Sequence, residues 1–303
     1  MIDNRLDTQL VKLNTRYQEL LLLSRKYEKI ERYISYIKHF DIKNIAEALR
    51  YRKYAKKNFS TAGNAFFDSP KNIDVCDRRI AVYSCIIGNY DSVIEPIVKE
   101  ENVDYLMFTD LDLPDNSVWK KIDINSLGHT DFSTLTSAQI NRKIKILQTE
   151  CLQEYDYTIY VDGNIEIVAG VTPIVSAMGE CGLAVHYHRS RDCIYDEMVA
   201  VRHGRRLCGG DMKKQLELYR KQGFPMHYGL YENSIIVRNN RDEKISKLME
   251  SWWKEYLRFP TRDQISFPYV IWKTNFDKSM IYIMGNDIEN NPRFNRLSRH
   301  SHI

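Results

Sequence analysis

Residues 157–161, Tyr-Thr-Ile-Tyr-Val, are β-branched or aromatic without interruption and end abruptly in Asp162-Gly163-Asn164. A short run of this kind, bounded by turn residues, reads as a buried strand. Side chains two apart on an extended chain point the same way, so Asp162 and Asn164 can converge on one object. Such oxygen donors suit a hard divalent cation, Mg²⁺ or Mn²⁺, that shares its remaining positions with phosphate oxygens and water. Gly163 between them lets the backbone turn or a ligand come close. The same tripeptide is equally a plain strand-to-turn junction, because Asp-Gly and Gly-Asn are common turn dipeptides. Its neighbours decide between the two.

Around this strand the pattern alternates. Residues 80–87 and 105–109 read as strands ending at Gly88 and Asp110, and residues 183–187, 234–237 and 280–284 as further strands. Helical periodicity covers residues 133–153, 211–222, 243–256 and 262–272. Strands separated by helices imply an α/β fold with a mostly parallel, doubly wound sheet. Ligands of such sheets bind beyond the carboxyl ends of the strands, where Gly88, Asp110 and Asp162 all fall.

The first 58 residues differ. Leu6, Leu10, Leu13, Tyr17, Leu20 and Tyr27 form a heptad-like apolar stripe, and Ile30, Tyr33, Ile34 and Ile37 continue it in a shifted phase. Asp41 is placed to cap a second helix with Ile42, Ile45, Ala46 and Leu49 on one side. Residues 59–79 have no period and read as a linker, leaving 80–303 as the main domain. The formal charge of +4 is uneven, since residues 1–60 carry fourteen Lys or Arg against seven Asp or Glu. This segment fits a helical hairpin packed on the main domain, a self-associating coiled coil, or a contact with an anionic membrane face. No nucleic-acid module accompanies the charge, so nucleic acid is not expected as a partner. The six cysteines are scattered without a Cys-x-x-Cys pair, and no apolar run is long enough to span a bilayer. A cytosolic, disulfide-free protein is expected.

From Ile80 to Trp272 the chain resembles the glycosyltransferase-like family formerly called domain of unknown function 616, with bacterial glycan and plant mucilage-pectin members. The resemblance rests on ordered segments: Ile80–Asp91, Asp104–Asp110, Asn141–Lys145, Tyr157–Ile165, His188–Glu197, Gly223–Glu232, Ser251–Trp253 and Arg262–Phe267. It implies a GT-A type, Rossmann-like sheet flanked by helices, with donor and acceptor halves. The implied activity is transfer of a hexose or uronic acid from a nucleotide sugar, first of all a uridine diphosphate sugar, to a free or lipid-linked glycan.

The resemblance also distributes roles. Tyr83, Gly88, Asp91 and Asp110 would meet the nucleobase and ribose, although Asp91 suits capping of the next helix equally and a capping role is the alternative for Asp110. Arg142 and Lys145, three apart on one helix face, would neutralise the donor diphosphate together with Arg262. Asp162 and Asn164 would hold a Mn²⁺ or Mg²⁺ ion, with His300 (or His302) as a third ligand. His186, His188, Arg191 and Glu197 would contact sugar hydroxyls, with Gly229 and Leu230 shaping the pocket. Asp263 and Gln264, with Glu232, would stand beside the anomeric carbon, helix capping being the alternative for Asp263. Retention of anomeric configuration follows from the resemblance alone. Two other functions stay open: a metal-dependent hydrolase built on His186, His188, Asp196 and Glu197, and a non-catalytic scaffold in glycan assembly.

Overall fold

The computed structural model describes residues 4–39, 41–61, 71–88, 90–127, 132, 134–147, 149–204 and 212–297. Two helices come first, α1 (Asn4–Lys38) and α2 (Ile42–Asn58), the second capped by the Asp41 carboxylate, which accepts from the Asn44 amide at 3.2 Å. Then follow β1 (Ile80–Ile86), β2 (Val103–Thr109), β3 (Lys120–Asp123), α3 (Ser137–Ile146), β4 (Tyr157–Val161), β5 (Ile165–Ile167), α4 (Thr172–Met178), β6 (Leu183–Tyr187) and α5 (Ile194–His203). The chain continues through α6 (Met212–Lys221), β7 (Tyr231–Asn239), α7 (Glu243–Arg258), α8 (Asp263–Lys273), β8 (Ile281–Ile283) and β9 (Phe294–Arg296).

Seven strands form one sheet in the order β3-β2-β1-β4-β7-β6-β8, and β5 pairs with β9 in a separate ribbon. Every pairing in the large sheet is parallel except the two made by β7, which runs against both β4 and β6. The mostly parallel, Rossmann-like sheet flanked by helices is therefore present, with one strand reversed. All residues of β1 and β4 are buried, as expected for strands covered on both faces. Tyr83, Cys85 and Tyr160 pack toward α3, α7 and α8, whereas Val82, Ile159 and Val161 face the other core with Val175 and Phe294. No helix among the described residues is long and apolar enough to cross a membrane.

Several boundaries differ from expectation. The helix expected over 133–153 is α3 alone, opened by a capping box in which Thr136 Oγ1 accepts from Gln139 N and Gln139 Oε1 from Thr136 N. It stops at Leu147, which turns to an extended conformation, and one 3-10 turn at Glu150–Leu152 follows. The carbonyls of its last turn are taken by side chains instead of a further helical turn. Tyr83 Oη donates to Lys145 O at 3.2 Å and Arg238 Nη1 to Ile146 O at 2.6 Å. The described residues between β1 and β2 form no helix, so that crossover is a loop.

The N-terminal helices lie against the domain. In α2, Tyr54 Oη donates to Asp196 Oδ1 at 2.8 Å and Tyr51 stacks on His203. In α1, Asn14 and Gln18 donate to the carbonyls of Pro292 and Phe294, Asp7 pairs with Arg293, and Arg25 pairs with Glu289.

Candidate active site

Because β2, β1 and β4 run parallel, their carboxyl ends open on one edge of the sheet. There the Asp110 carboxylate accepts from the Gly88 amide at 3.0 Å, with Gly88 at φ +67°, a conformation glycine adopts without strain. Gly163 lies flat on this edge: a Cβ there would stand 2.9 Å from Ile86 Cγ1 and 3.4 Å from Asp91 Oδ2. The sequence places glycine where β1 and the Asp162 loop press together, and this brings Asp91 beside the loop.

The centre of the site is Lys145. Its ammonium is almost fully buried and sits 2.8 Å from Asp263 Oδ2 and 3.3 Å from Asp162 Oδ1. Arg142, one turn earlier on α3, has its Nε 3.7 Å from the same Asp263 oxygen. Tyr160 Oη donates to Asp162 Oδ1 at 2.9 Å, and its ring lies 5.2 Å from the Lys145 ammonium. Asp263 heads α8, which Trp252 of α7 anchors by donating Nε1–H to Asp263 O and Ser266 Oγ. Burial alone would raise the Asp263 pKa, but Lys145, Arg142 and Arg262 outweigh it and hold the carboxyl well below the usual carboxylate range. Asp263 is thus fixed as an anion. Arg262 occupies the N-cap, and Asp263 Oδ1 also accepts from the first-turn amide of Gln264 at 3.0 Å, so Asp263 takes a helix-start amide as well as the two cations.

A second array adjoins the first. Arg191 Nε donates to Glu197 Oε2 at 2.7 Å, and Arg262 Nη2 lies 3.5 Å from Glu197 Oε1. His188 Nε2 is 3.0 Å from Arg191 Nη2. Burial, reinforced by Arg191, Arg262 and Arg296, lowers the His188 pKa to about 3, so its ring is neutral and accepts from the guanidinium. Gln264 is tied at both ends, to Arg262 through Oε1 and to Tyr231 O through Nε2. Gly229, at φ +127°, and Leu230 form the wall behind His188, whose amide donates to Leu230 O at 2.8 Å.

The structure brings Arg142, Lys145, Asp162 and Asp263 together, and Arg262, Arg191, His188 and Glu197 beside them. It does not bring every expected residue. Tyr83 lies inside β1, fully buried under α3, so it supports the helix carrying Lys145 and does not reach a nucleotide. His186 is also fully buried, its Nε2 3.0 Å from Asn291 Nδ2, and burial with Arg296 lowers its pKa to about 3. His186 meets Asn291 in the core whereas His188 meets Arg191, so the two rings have separate partners. Glu232 accepts from Arg296 Nη1 at 2.9 Å and from the Ile288 amide at 3.1 Å, and burial raises its pKa. Its partners belong to the C-terminal segment. The ligands of the hydrolase reading are likewise dispersed, Asp196 toward Tyr54 and His186 toward Asn291. His300 and His302 lie outside the described residues, the last of which, Leu297, donates its amide to Asn164 O at 2.9 Å.

Tyr160 and Arg238 were missed. Arg238 is fully buried, bonds the Tyr83 hydroxyl and Ile146 O, and has its pKa lowered to about 9 by burial. The signal was available: a charged residue closing the apolar run Ile235-Ile-Val237 must find partners inside. Among the described residues, Cys193, Asp196 and His227 also gather ligand atoms within 4.8 Å of one another, away from the Asp162 loop.

The family model of the TOD1/MUCI70 glycosyltransferase-like domain matches residues 40–300, reaching beyond the motif span at both ends and taking in α2. An Arabidopsis thaliana protein described as probable hexosyltransferase MUCI70 is 26% identical over 237 residues, 67% of this chain but 39% of that protein. Among solved structures, the apo bifunctional glycosyltransferase WbbM is similar at TM-score 0.42 and 13% identity, over 73% of this chain and 40% of that one. The galactosyltransferase LgtC in complex with donor and acceptor sugar analogues is similar at TM-score 0.36 and 10% identity, over 67% and 72%.

Proposed function

This chain belongs to the TOD1/MUCI70 glycosyltransferase-like domain family, and on that premise we propose that it transfers a hexose or uronic acid from a uridine diphosphate sugar to a polysaccharide or other glycan acceptor. One observation carries the reading: a nearly fully buried ammonium, Lys145, held between Asp162 and Asp263 with Arg142 alongside, at the carboxyl edge of a mostly parallel sheet. Cations so placed stabilise the charge that develops on a departing diphosphate, and the low-polarity surroundings strengthen that effect. In the resting chain the two carboxylates take that role. An arriving diphosphate replaces them as the partner of Lys145 and Arg142.

The donor set at the loop also fits a hard cation. Asp162 supplies a carboxylate whose side chain is 27% exposed, and Asn164 a neutral amide oxygen. Bound with the donor, Mn²⁺ or Mg²⁺ would neutralise diphosphate oxygens. With a single carboxylate contributed, the ion would be held loosely without the donor, and it and the Arg142–Lys145 pair would each bring two positive charges to the diphosphate. In the resting chain, with Lys145, Arg142 and Arg262 beside it, Asp263 is a weak base. As a fixed anion it stabilises positive charge at the anomeric carbon instead. This accords with a retaining, front-face path in which the leaving phosphate takes the acceptor proton. In a cytosolic setting a lipid-linked acceptor would be met at the inner membrane face.

A hydrolysis screen across nucleotide sugars, with titration calorimetry of uridine diphosphate with and without Mn²⁺, tests the reading. Asp162→Ala should abolish transfer and weaken binding of the nucleotide with Mn²⁺ by on the order of tenfold or more. Unchanged affinity in the variant removes Asp162 from the donor site. A wild-type chain that neither binds nor hydrolyses any nucleotide sugar favours the scaffold reading.

A further inference from the structure

Helix α1 meets the domain largely through polar side chains, with Leu10, Val11, Leu21 and Leu22 half-buried among them. Its polar residues face the domain: Asp7 bonds Arg293 and the Gly170 amide, Asn14 and Gln18 reach carbonyls of the Pro292–Phe294 segment, and Arg25 meets Glu289. A surface helix normally buries its apolar stripe and solvates its polar face. Here Leu6, Leu13, Leu20, Tyr27 and Ile34, together with Leu23 and Ile30, are between 44% and 70% exposed. So large an apolar strip on one helix marks an interaction surface.

The spacing identifies the partner. Leu6, Leu13, Leu20, Tyr27 and Ile34 recur every seven residues. Leu23 and Ile30 fall three residues after Leu20 and Tyr27, whereas Gln9 and Arg16 hold the matching places after Leu6 and Leu13, so the two-row heptad seam lies in the second half of the helix. A seven-residue repeat drifts by about 20° per heptad around a straight helix, so this stripe turns through roughly 80° between Leu6 and Ile34. A flat lipid surface meets a stripe that runs along the axis. A second helix winding left-handed follows a stripe that drifts.

We propose that α1 pairs in parallel with α1 of a second copy of this chain, forming a two-stranded coiled coil with the two domains on its outer sides. The charges flanking the seam carry the choice of a second copy. In this register Lys26 precedes the Tyr27 position and Glu31 follows the Ile30 position, and both are exposed. Across a parallel pair of identical helices each Lys26 meets the partner copy's Glu31, giving two opposite-charge contacts by symmetry. Glu19 meets Ser24 in the same way, so no like charges oppose one another there.

Light scattering after size exclusion on the full chain should give twice the monomer mass. Leu23→Glu with Ile30→Glu should return a monomer that keeps the wild-type circular dichroism spectrum, because both positions are exposed in the single chain, and that melts below the wild type once the dimer no longer supports it. Lys26→Glu should weaken the dimer on the order of tenfold by setting Glu against Glu, and adding Glu31→Lys should restore it. A wild-type monomer overturns the proposal, whether or not it sediments with vesicles of anionic lipid. A dimer that ignores the charge reversal overturns the parallel register.

Discussion

At one end of the site, Lys145 and Arg142 face Asp162 and Asp263, two cations against two carboxylates. At the other, Arg191 and Arg262 share Glu197, and His188 between them is neutral. The first array is balanced within itself, while the second keeps one positive charge in excess. A diphosphate can enter the first only by exchanging places with carboxylates, so binding there is coupled to rearrangement. The second attracts an anionic group without any exchange. A single pocket can in this way hold a permanent electrostatic anchor beside cations that are engaged only when the donor arrives.

Breaking the balance should have the largest effect. Asp263→Asn leaves Lys145 with Asp162 alone and deprives Arg142 of its nearby carboxylate. Loss of one partner from a buried pair costs roughly 3–5 kcal/mol, and the remaining Asp162 contact places this variant toward the lower figure. Urea denaturation measures that loss. Turnover should fall by orders of magnitude while nucleotide affinity changes severalfold at most, the signature of a group acting in the transition state. Normal stability would mean that the two arrays are not organised around different charge balances.

Glu197→Gln sharpens the same contrast from the other side. Its carboxylate is as buried as the Lys145 ammonium, but Arg191 and Arg262 are 14% and 27% exposed and regain water when it is lost. The expected cost is about 1–3 kcal/mol, below that of Asp263→Asn in a parallel denaturation series. Uridine diphosphate should bind this variant at least as tightly as the wild type at low salt, because the array gains net positive charge. Weaker binding would place the donor away from it.

The two arrays were unequally legible in the sequence. Asp162, Arg142 and Lys145 stand in short motifs whose spacing announces their direction, and β4 and β6 were bounded correctly because continuous apolar runs end at polar turns. Their convergence on Asp263, more than a hundred residues away, is a property of the sheet order and α8 packing. Burial was the weaker inference: Tyr83 and His186 look like pocket residues from neighbouring motifs, yet both are fully buried in the core, in β1 and β6. β3 was invisible because its exposed Lys-Lys-Ile-Asp has no strand pattern, and pairing with β2 alone makes it a strand. In α1 the period was readable but the docked face was not, since the carbonyls that Asn14 and Gln18 satisfy lie at the far end of the chain.

The smallest expected effect separates the arrays by pH. His188 and His186 have folded pKa values of about 3 against a reference of 6.5, so the unfolded chain binds more protons between those values. Their contribution to stability is complete above pH 6.5 and is lost progressively as pH falls toward 3. The Asp263 carboxyl is lowered from 3.8, so its contribution is present above that value and lost only below it. Glu232 and Asp287, raised by burial, act with the opposite sign just above the ordinary carboxylate range. Between pH 7.5 and 5.5 the histidines should therefore dominate the fall in melting temperature. His188→Gln, whose amide oxygen still accepts from Arg191, should remove about half of that fall, because two rings with similar shifts share it. Asp263→Asn should leave the slope over this window unchanged while lowering the whole curve. A slope that survives His188→Gln intact would mean that the ring carries a proton in the folded chain. The second array would then hold two excess positive charges in place of one.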